Sequence, residues 1–388
     1  MNGGGGPTSA EVRGRHVEPR VAEVLDRKLV NRPTGPYAAR TDVEVEAALH
    51  RLMAAEGLKD VLIGGLKRLA GGASKEQFAF TLSHGGASGS ERMVLRMDPL
   101  ESIAETCRLR EAQVLRAMQG IVPVPAVRFV DPEGVHLGQP GAITSFVEGV
   151  TKPTAISATG VSGIGLRYGI WADLLAPQFV ENLVAIHNAD LQAMDLSSFA
   201  KPAAGTREAA LFQVGWWARV WHEDHSESVP IVTLTERWLR ENAPVCAAPC
   251  LVHADYRIGN FMFEEPSGRF VAVLDWELAH VGDFHEDLAW VVQRLFGTIE
   301  DDGTFMVCGL LPREKFLAQY QALSGRTVDP ATLHYYEVLN AWKCSVLNQG
   351  PAVRAAMAGN NHQDLLLTWL SGSSAVFHAQ LVDLLKER

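Results

Sequence analysis

The sequence predicts an α+β chain of two unequal lobes, a small β-rich one followed by a large helical one. Three observations predict it. Apolar runs of strand length, broken by Gly and Pro, fill roughly residues 60–148. Beyond about residue 172 the apolar residues recur at helical spacing. Within that helical half one hairpin is spelled out: Phe261-Met262-Phe263 and Arg269–Leu274 flank the turn Glu264-Glu265-Pro266-Ser267-Gly268. The expected division is a tail over residues 1–40, the β-rich lobe over 41–148 and the helical lobe over 149–388.

Composition sets limits before any motif is read. A chain of 388 residues with 47% hydrophobic and 21% charged residues is long enough for a two-lobed globular protein. Its net charge of −10 argues against a nucleic-acid partner. Five cysteines (Cys107, Cys246, Cys250, Cys308 and Cys344) are scattered and odd in number. Cys246 and Cys250 lack the second pair that a zinc site needs. They read as reduced thiols of a cytoplasmic protein. No run of eighteen apolar residues suggests a membrane span, and the Gly-rich N-terminus is not a signal peptide.

Taken in order, Val21, Val24, Leu25 and Leu29 mark one short amphipathic helix in the tail. The first 40 residues carry seven Arg or Lys against four Asp or Glu, so the tail is expected to lie across its own acidic body. Thr41 is placed to cap a helix over 42–55, with Val45, Leu49, Leu52 and Met53 inward. Strands at Leu62–Leu66 and Phe78–Leu82 enclose Gly71, Gly72 and Ser74, a turn whose N–H groups are suited to covering phosphates. Met93–Met97 is the next strand, and it carries Arg96. A helix over about 102–118 offers Glu111 or Glu105 as the partner of Arg96, Glu111 preferred. Val127–Val130 and Ala142–Gly149 close the β lobe. Segment 142–149, with Ser145 and Val147, is the expected hinge, whose main chain receives an adenine ring. Residues 151–169 read as a flexible insertion. Helices are then expected around Leu183–Met194, Phe212–Trp221, Trp238, 286–296, 312–323, 330–347 and 362–385. The Trp cluster reads as core.

The chemistry lies in Leu251–Asn260, which has the pattern H-x-D-x-x-x-x-N, and in Asp275, fifteen residues beyond the Asn. The hairpin between them should bring Asp255, Asn260 and Asp275 to one point. Phosphoryl transfer from ATP needs such convergence: a carboxylate to take the hydroxyl proton, and oxygen ligands for a charge-neutralising Mg²⁺. Asp255 fits the base, Asn260 and Asp275 fit the metal, and the Asp255–Asn260 spacing equals that of a kinase catalytic loop. His253 is expected to orient this loop. Each of these residues is also an ordinary turn residue when taken singly. A zinc or di-iron hydrolase site built from His253, His280 and His285 with nearby aspartates is a second reading, although the His spacing is not that of zincins.

At these residues the chain resembles the aminoglycoside phosphotransferase and choline kinase-like family, of protein-kinase-like fold, over roughly residues 42–385. The matching segments are Leu251–Asn260, Val273–Asp283 with Asp287, the Gly71–Ser74 turn, Val94–Pro99, Glu111–Leu115 and Phe146–Gly149. The resemblance implies Asp255 as base, Asn260 and Asp275 as Mg²⁺ ligands and Arg96–Glu111 as the phosphate-positioning pair. Arg96 replaces the usual Lys, a departure shared by the similar kinase-like domains of acyl-CoA dehydrogenase fusion proteins. It keeps open a nucleotide-binding module without turnover, since Arg and Lys are not equivalent ligands. Asp283 and Asp287 look like acids that brace the loop and cap the next helix. About ten residues separate Asp275 from that helix, too few for a peptide-docking activation segment, so the acceptor is expected to be a small molecule. Glu277 is expected to face metal or substrate. The acids between Asp275 and Asp302, with Arg294 the one basic residue among them, are expected to favour a cationic acceptor if they line the site. Aminoglycosides, choline-like amines, sugars and hydroxyacyl thioesters all remain open.

Overall fold

The computed structural model describes residues 16–30, 32, 36–69, 74–85, 89–155, 164–265 and 267–386. Gly71 and Gly72, most of the Gly-rich tail and the middle of the 151–169 insertion lie outside them.

The β lobe is one antiparallel sheet in the order β1-β2-β3-β5-β4. Its strands are β1 (Leu62–Arg68), β2 (Glu76–Ser83), β3 (Glu91–Met97), β4 (Val127–Asp131) and β5 (Gly141–Ser145). Strand β2 alternates buried and half-buried positions, as a sheet with one covered face requires. Phe78, Phe80 and Leu82 face the cover helix, and so do Leu95 and Met97 of β3. Helix α1 (Pro19–Val30) precedes that cover, which is α2 (Asp42–Ala55). Thr41 and Glu44 cap α2 reciprocally, and Val45, Leu49, Leu52 and Met53 pack on the sheet. Each such buried side chain contributes about 1.5–3 kcal/mol.

Helix α3 (Arg108–Ala117) begins about six residues later than its apolar spacing suggests. Residues 98–107 instead run as an irregular, largely buried segment. Its polar groups serve a neighbour rather than a helix: Ser102 Oγ and Ala104 O both accept from Lys75 Nζ at 3.3 Å.

The helical lobe follows. Its first helices are α4 (Ala172–His187), α5 (Glu208–Asp224) and α6 (Pro230–Asn242). Helix α4 ends at His187, so Leu191 and Met194 lie in the turns beyond it. The insertion ends in core rather than solvent, with Leu166 and Tyr168 buried. Trp216, Trp217 and Trp221 of α5 are buried as well. The segment that carries the H-x-D-x-x-x-x-N pattern and Asp275 is built from β6 (Cys250–Val252), β7 (Phe261–Glu264), β8 (Arg269–Val273) and β9 (His280–Gly282). Strand β6 pairs with β9, and β7 with β8. Helix α7 (His285–Val291) comes next, shorter than the 286–296 expected.

Strands β10 (Thr298–Ile299), β11 (Phe305–Val307) and β12 (Leu311–Pro312) form a small sheet. Helix α8 (Arg313–Ser324) leads to α9 (Pro330–Gln349), the axis of the lobe. Asn340 Nδ2 of α9 bonds Glu286 O at 2.8 Å and Lys343 Nζ bonds Glu286 Oε1 at 2.8 Å, which fixes α7 against α9. The last helices are α10 (Pro351–Ala358), α11 (Asp364–Gly372) and α12 (Ser374–Leu384). Leu365–Leu384 is long and apolar enough to cross a membrane by composition. It is folded as two helices meeting at Ser373, and Phe377 and Leu381 join the core.

The described bases of the tail lie on acidic partners, and the tail touches both lobes. Arg20 pairs with Glu133 beyond β4 at 2.8 Å, and, with the signs reversed, the tail's Glu18 pairs with Arg110 of α3 at 3.0 Å. On the helical lobe Lys28 pairs with Asp224, and Arg32 reaches the same carboxylate at 2.6 Å.

Candidate active site

Strand β6 delivers His253 into a buried position between the lobe core and the hairpin exit. Asp255 N donates to His253 Nδ1 at 3.2 Å. The ring proton is therefore on Nε2, which donates to Leu274 O at 2.9 Å. Burial pulls the imidazole below its ordinary pKa, with the Asp287 and Asp255 charges opposing, so the ring is neutral at neutral pH. Leu274 N donates to Asn260 O at 2.7 Å. These bonds stitch the loop to the segment that carries Asp275.

The loop is braced from α7. Asp287, fully buried, accepts from His253 N and Ala254 N at 2.7 Å each and from His187 Nε2 at 3.0 Å. Burial would raise its carboxyl, but the His187 hydrogen bond and charge outweigh that and hold it below the ordinary value. Asp283 accepts from His285 N, the first N–H of α7, at 3.0 Å, while the N-cap position itself is Phe284. Two non-glycine residues here have left-handed backbone, Ala254 at φ 64° and Asp275 at φ 59°. Each costs about 1–3 kcal/mol and persists because the surrounding bonds over-determine it.

The Asp255 carboxylate accepts from Arg257 Nε at 2.8 Å and Trp290 Nε1 at 3.0 Å on Oδ1, and from Asn260 Nδ2 at 2.6 Å on Oδ2. Burial raises its pKa above the usual carboxylate range; Arg257 opposes this and the Asp275 charge adds to it. Asn260 commits its amide nitrogen to Asp255, donating to Asp255 O as well as Oδ2. Asp275 is about a third exposed, and its Oδ1 accepts from Arg96 Nη2 at 2.5 Å. Arg96 Nη1 bonds Glu111 Oε1 at 2.7 Å, so Glu111 and not Glu105 is its partner. Burial opposes the Arg96 charge, but Glu111, Asp275 and Glu277 more than offset it.

Glu277 differs from expectation. It faces neither solvent nor an open cleft, but lies in a buried cluster with Lys75 Nζ at 3.5 Å, Arg108 Nη2 at 3.1 Å and Ser74 Oγ at 2.7 Å. Burial would raise it, yet the Lys75, Arg108 and Arg96 charges hold it down to about 2. Ser74 thus ties the root of the Gly turn to the segment after Asp275. Ser145 Oγ accepts from Ala126 N at 2.9 Å, and the β5 ladder ends with Phe146 N donating to Arg92 O, leaving Val147 just beyond it.

Of the acids between Asp275 and Asp302, Asp283 pairs with His285, Glu286 with Lys343 and His280, and Asp287 with the loop, all turned inward. Glu300 pairs with Arg167 at the surface, and Asp301 and Asp302 are exposed. His253, His280 and His285 also sit in three separate networks rather than on one ion.

Lys75, Arg108, Arg257 and Trp290 escaped the sequence reading. Lys75 directly follows the Gly-Gly-Ala-Ser turn and so carried a signal; Trp290 had one only in its i, i+3 relation to Asp287.

Rat acyl-CoA dehydrogenase family member 11 is 26% identical over 294 residues, 72% of this chain and 36% of that protein. The chain spans about a third of the length of that curated relative. A Ralstonia eutropha protein assigned as an aminoglycoside phosphotransferase has a TM-score of 0.63 at 21% identity, covering 90% of this chain and 99% of its own. A thermostable mutant of the aminoglycoside phosphotransferase APH(4)-Ia, solved with AMP-PNP and hygromycin B, has a TM-score of 0.54 at 16% identity, covering 88% of this chain and 99% of its own. The fold is the bilobal protein-kinase-like one. Residues 65–336 match the model of the phosphotransferase enzyme family, and the chain belongs to that family.

Proposed function

We propose that the protein transfers the γ-phosphoryl group of ATP, with Mg²⁺, to a hydroxyl of a small molecule. The observation that carries this reading is the Asp255 carboxylate, raised in basicity by burial and oriented by Asn260 beside the Asp275 segment. Asp255 is the base toward the acceptor hydroxyl, and His253 holds the loop that presents it. Asn260 and Asp275 fit Mg²⁺ by their donor set: hard oxygen atoms, one of them on a partly exposed carboxylate. When bound, the ion neutralises charge on the transferred phosphoryl group. Arg96, oriented by Glu111, is the fixed cation on the phosphate side. Support for ATP comes from the AMP-PNP complex of the structural relative. Support for a small acceptor comes from the short path between Asp275 and α7, which holds only a 3-10 turn and β9.

Release of ADP in a screen of hydroxylated metabolites and antibiotics tests the reading. Asp255→Ala should abolish turnover while MgATP still binds; loss of binding with turnover retained refutes the assignment. The engagement of Asp275 by Arg96 favours one second reading, a module that binds nucleotide without transfer. Saturable MgATP binding with no ADP release from any acceptor selects it.

A further inference from the structure

We propose that Trp290 and Arg257 hold the Asp255 carboxylate by Oδ1, so that Oδ2 is the atom that receives the acceptor's hydroxyl proton. The inference rests on the phosphotransferase reading and adds to it a positioning residue on α7. A carboxylate oxygen has two lone pairs. Both of those on Oδ1 are taken, by Arg257 Nε at 2.8 Å and Trp290 Nε1 at 3.0 Å. Oδ2 has one donor, Asn260 Nδ2 at 2.6 Å, and keeps one lone pair for an incoming O–H.

Both donors to Oδ1 are fixed from behind by one side chain. The Phe296 ring lies 5.3 Å from the Trp290 ring and 5.1 Å from the Arg257 guanidinium carbon. Arg257 Nη1 also donates to Ile258 O at 2.8 Å, and Lys343 Nζ lies 5.3 Å from the Trp290 ring centre. One turn before Trp290, Asp287 holds the backbone N–H groups of His253 and Ala254. Helix α7 therefore sets both the path of the loop and the rotamer of its base.

In the reaction, a lone pair of the acceptor oxygen forms the new bond to the γ-phosphorus. The bond from that phosphorus to the β,γ-bridging oxygen breaks, with its electron pair leaving on ADP. The hydroxyl proton moves to Oδ2 and is later released to water.

Trp290→Phe removes the N–H and keeps the ring. ADP release from MgATP with water as the acceptor reads the effect without a named alcohol. The expected result is a kcat lower by ~10-fold or more with KM for MgATP unchanged. The acid limb of the pH profile should move upward by several tenths of a unit, because a donor to the charged form is gone. In an Asp255→Asn background the same substitution should add no further loss. Should Trp290→Phe fail to fold, Arg257→Lys, which lacks the fixed Nε–H, carries the same three expectations. An unchanged kcat and acid limb, or an independent further loss in the Asp255→Asn background, overturns the inference and leaves the phosphotransferase reading standing. A wild-type protein that releases no ADP from MgATP with water or with any acceptor of the screen overturns both.

Discussion

Replacing Asp287 by Asn removes one oxygen acceptor from a site where three donors converge. The carboxylate is fully buried and accepts from His253 N, Ala254 N and His187 Nε2. An amide has one oxygen and one NH₂ group. With its oxygen in the place of Oδ2, it keeps His253 N and His187 and turns the NH₂ toward the N–H of Ala254. An orphaned buried N–H costs about 1–3 kcal/mol. The two remaining bonds lose their charge assistance, a further ~1–2 kcal/mol together. Relief of the strained Ala254 backbone, φ 64°, returns part of this. The sum is about 2–4 kcal/mol, a large share of the ~5–15 kcal/mol that holds a typical domain. Urea unfolding followed by tryptophan fluorescence at neutral pH reads the loss directly. A change below ~1 kcal/mol with undiminished ADP release would show that the loop does not depend on Asp287.

Three further outcomes are expected. Asp275→Ala should remove the Mg²⁺-dependent part of ATP affinity in a calorimetric titration; an unchanged Mg²⁺ dependence counts against its assignment. Arg96→Lys places a single ammonium where a fork bridges Glu111 Oε1 and Asp275 Oδ1, and should weaken ATP binding by ~10-fold or more; equal affinity would mean that the fork is not used. Stability should fall with acid in two stages. The unfolded chain protonates His253 near pH 6.5 while the folded ring, its pKa depressed by burial, refuses the proton, so loss begins as pH falls through that value. Glu277 and Glu286, held to about 2 in the folded protein, give stability that is present above their unfolded value near 4.5 and is lost as pH falls toward 2. A flat urea midpoint between neutral pH and ~4 would contradict the two stages.

The lobes and the catalytic loop were legible because they are local. Strand β2 alternates in sequence as it does in space, and Thr41 with Glu44 spells its own cap. The pattern around Asp255 placed Asn260 against it, and the two side chains do meet, while the side-chain partner of Asp275 is Arg96. The environment of Glu277 was not legible. Whether that carboxylate faces metal or is spent on Lys75 and Arg108 depends on residues some 200 and 170 positions away. The late start of α3 was hidden for a related reason: the irregular segment at Ser102–Ala104 satisfies the buried ammonium of Lys75, which sits just before β2. The inward turn of Glu286 depends likewise on Lys343 of α9.

The tail helix α1 has a dry end and a wet end. Lys28 and Asp224 are almost wholly shielded, whereas Arg20 and Glu133 are 29% and 50% exposed. Salt screens exposed charges beyond a Debye length of ~8 Å at physiological ionic strength and barely touches buried pairs. Raising the salt concentration therefore weakens the Arg20–Glu133 contact but leaves Lys28–Asp224 and the buried Glu18–Arg110 pair in place, so the tail stays strapped to both lobes.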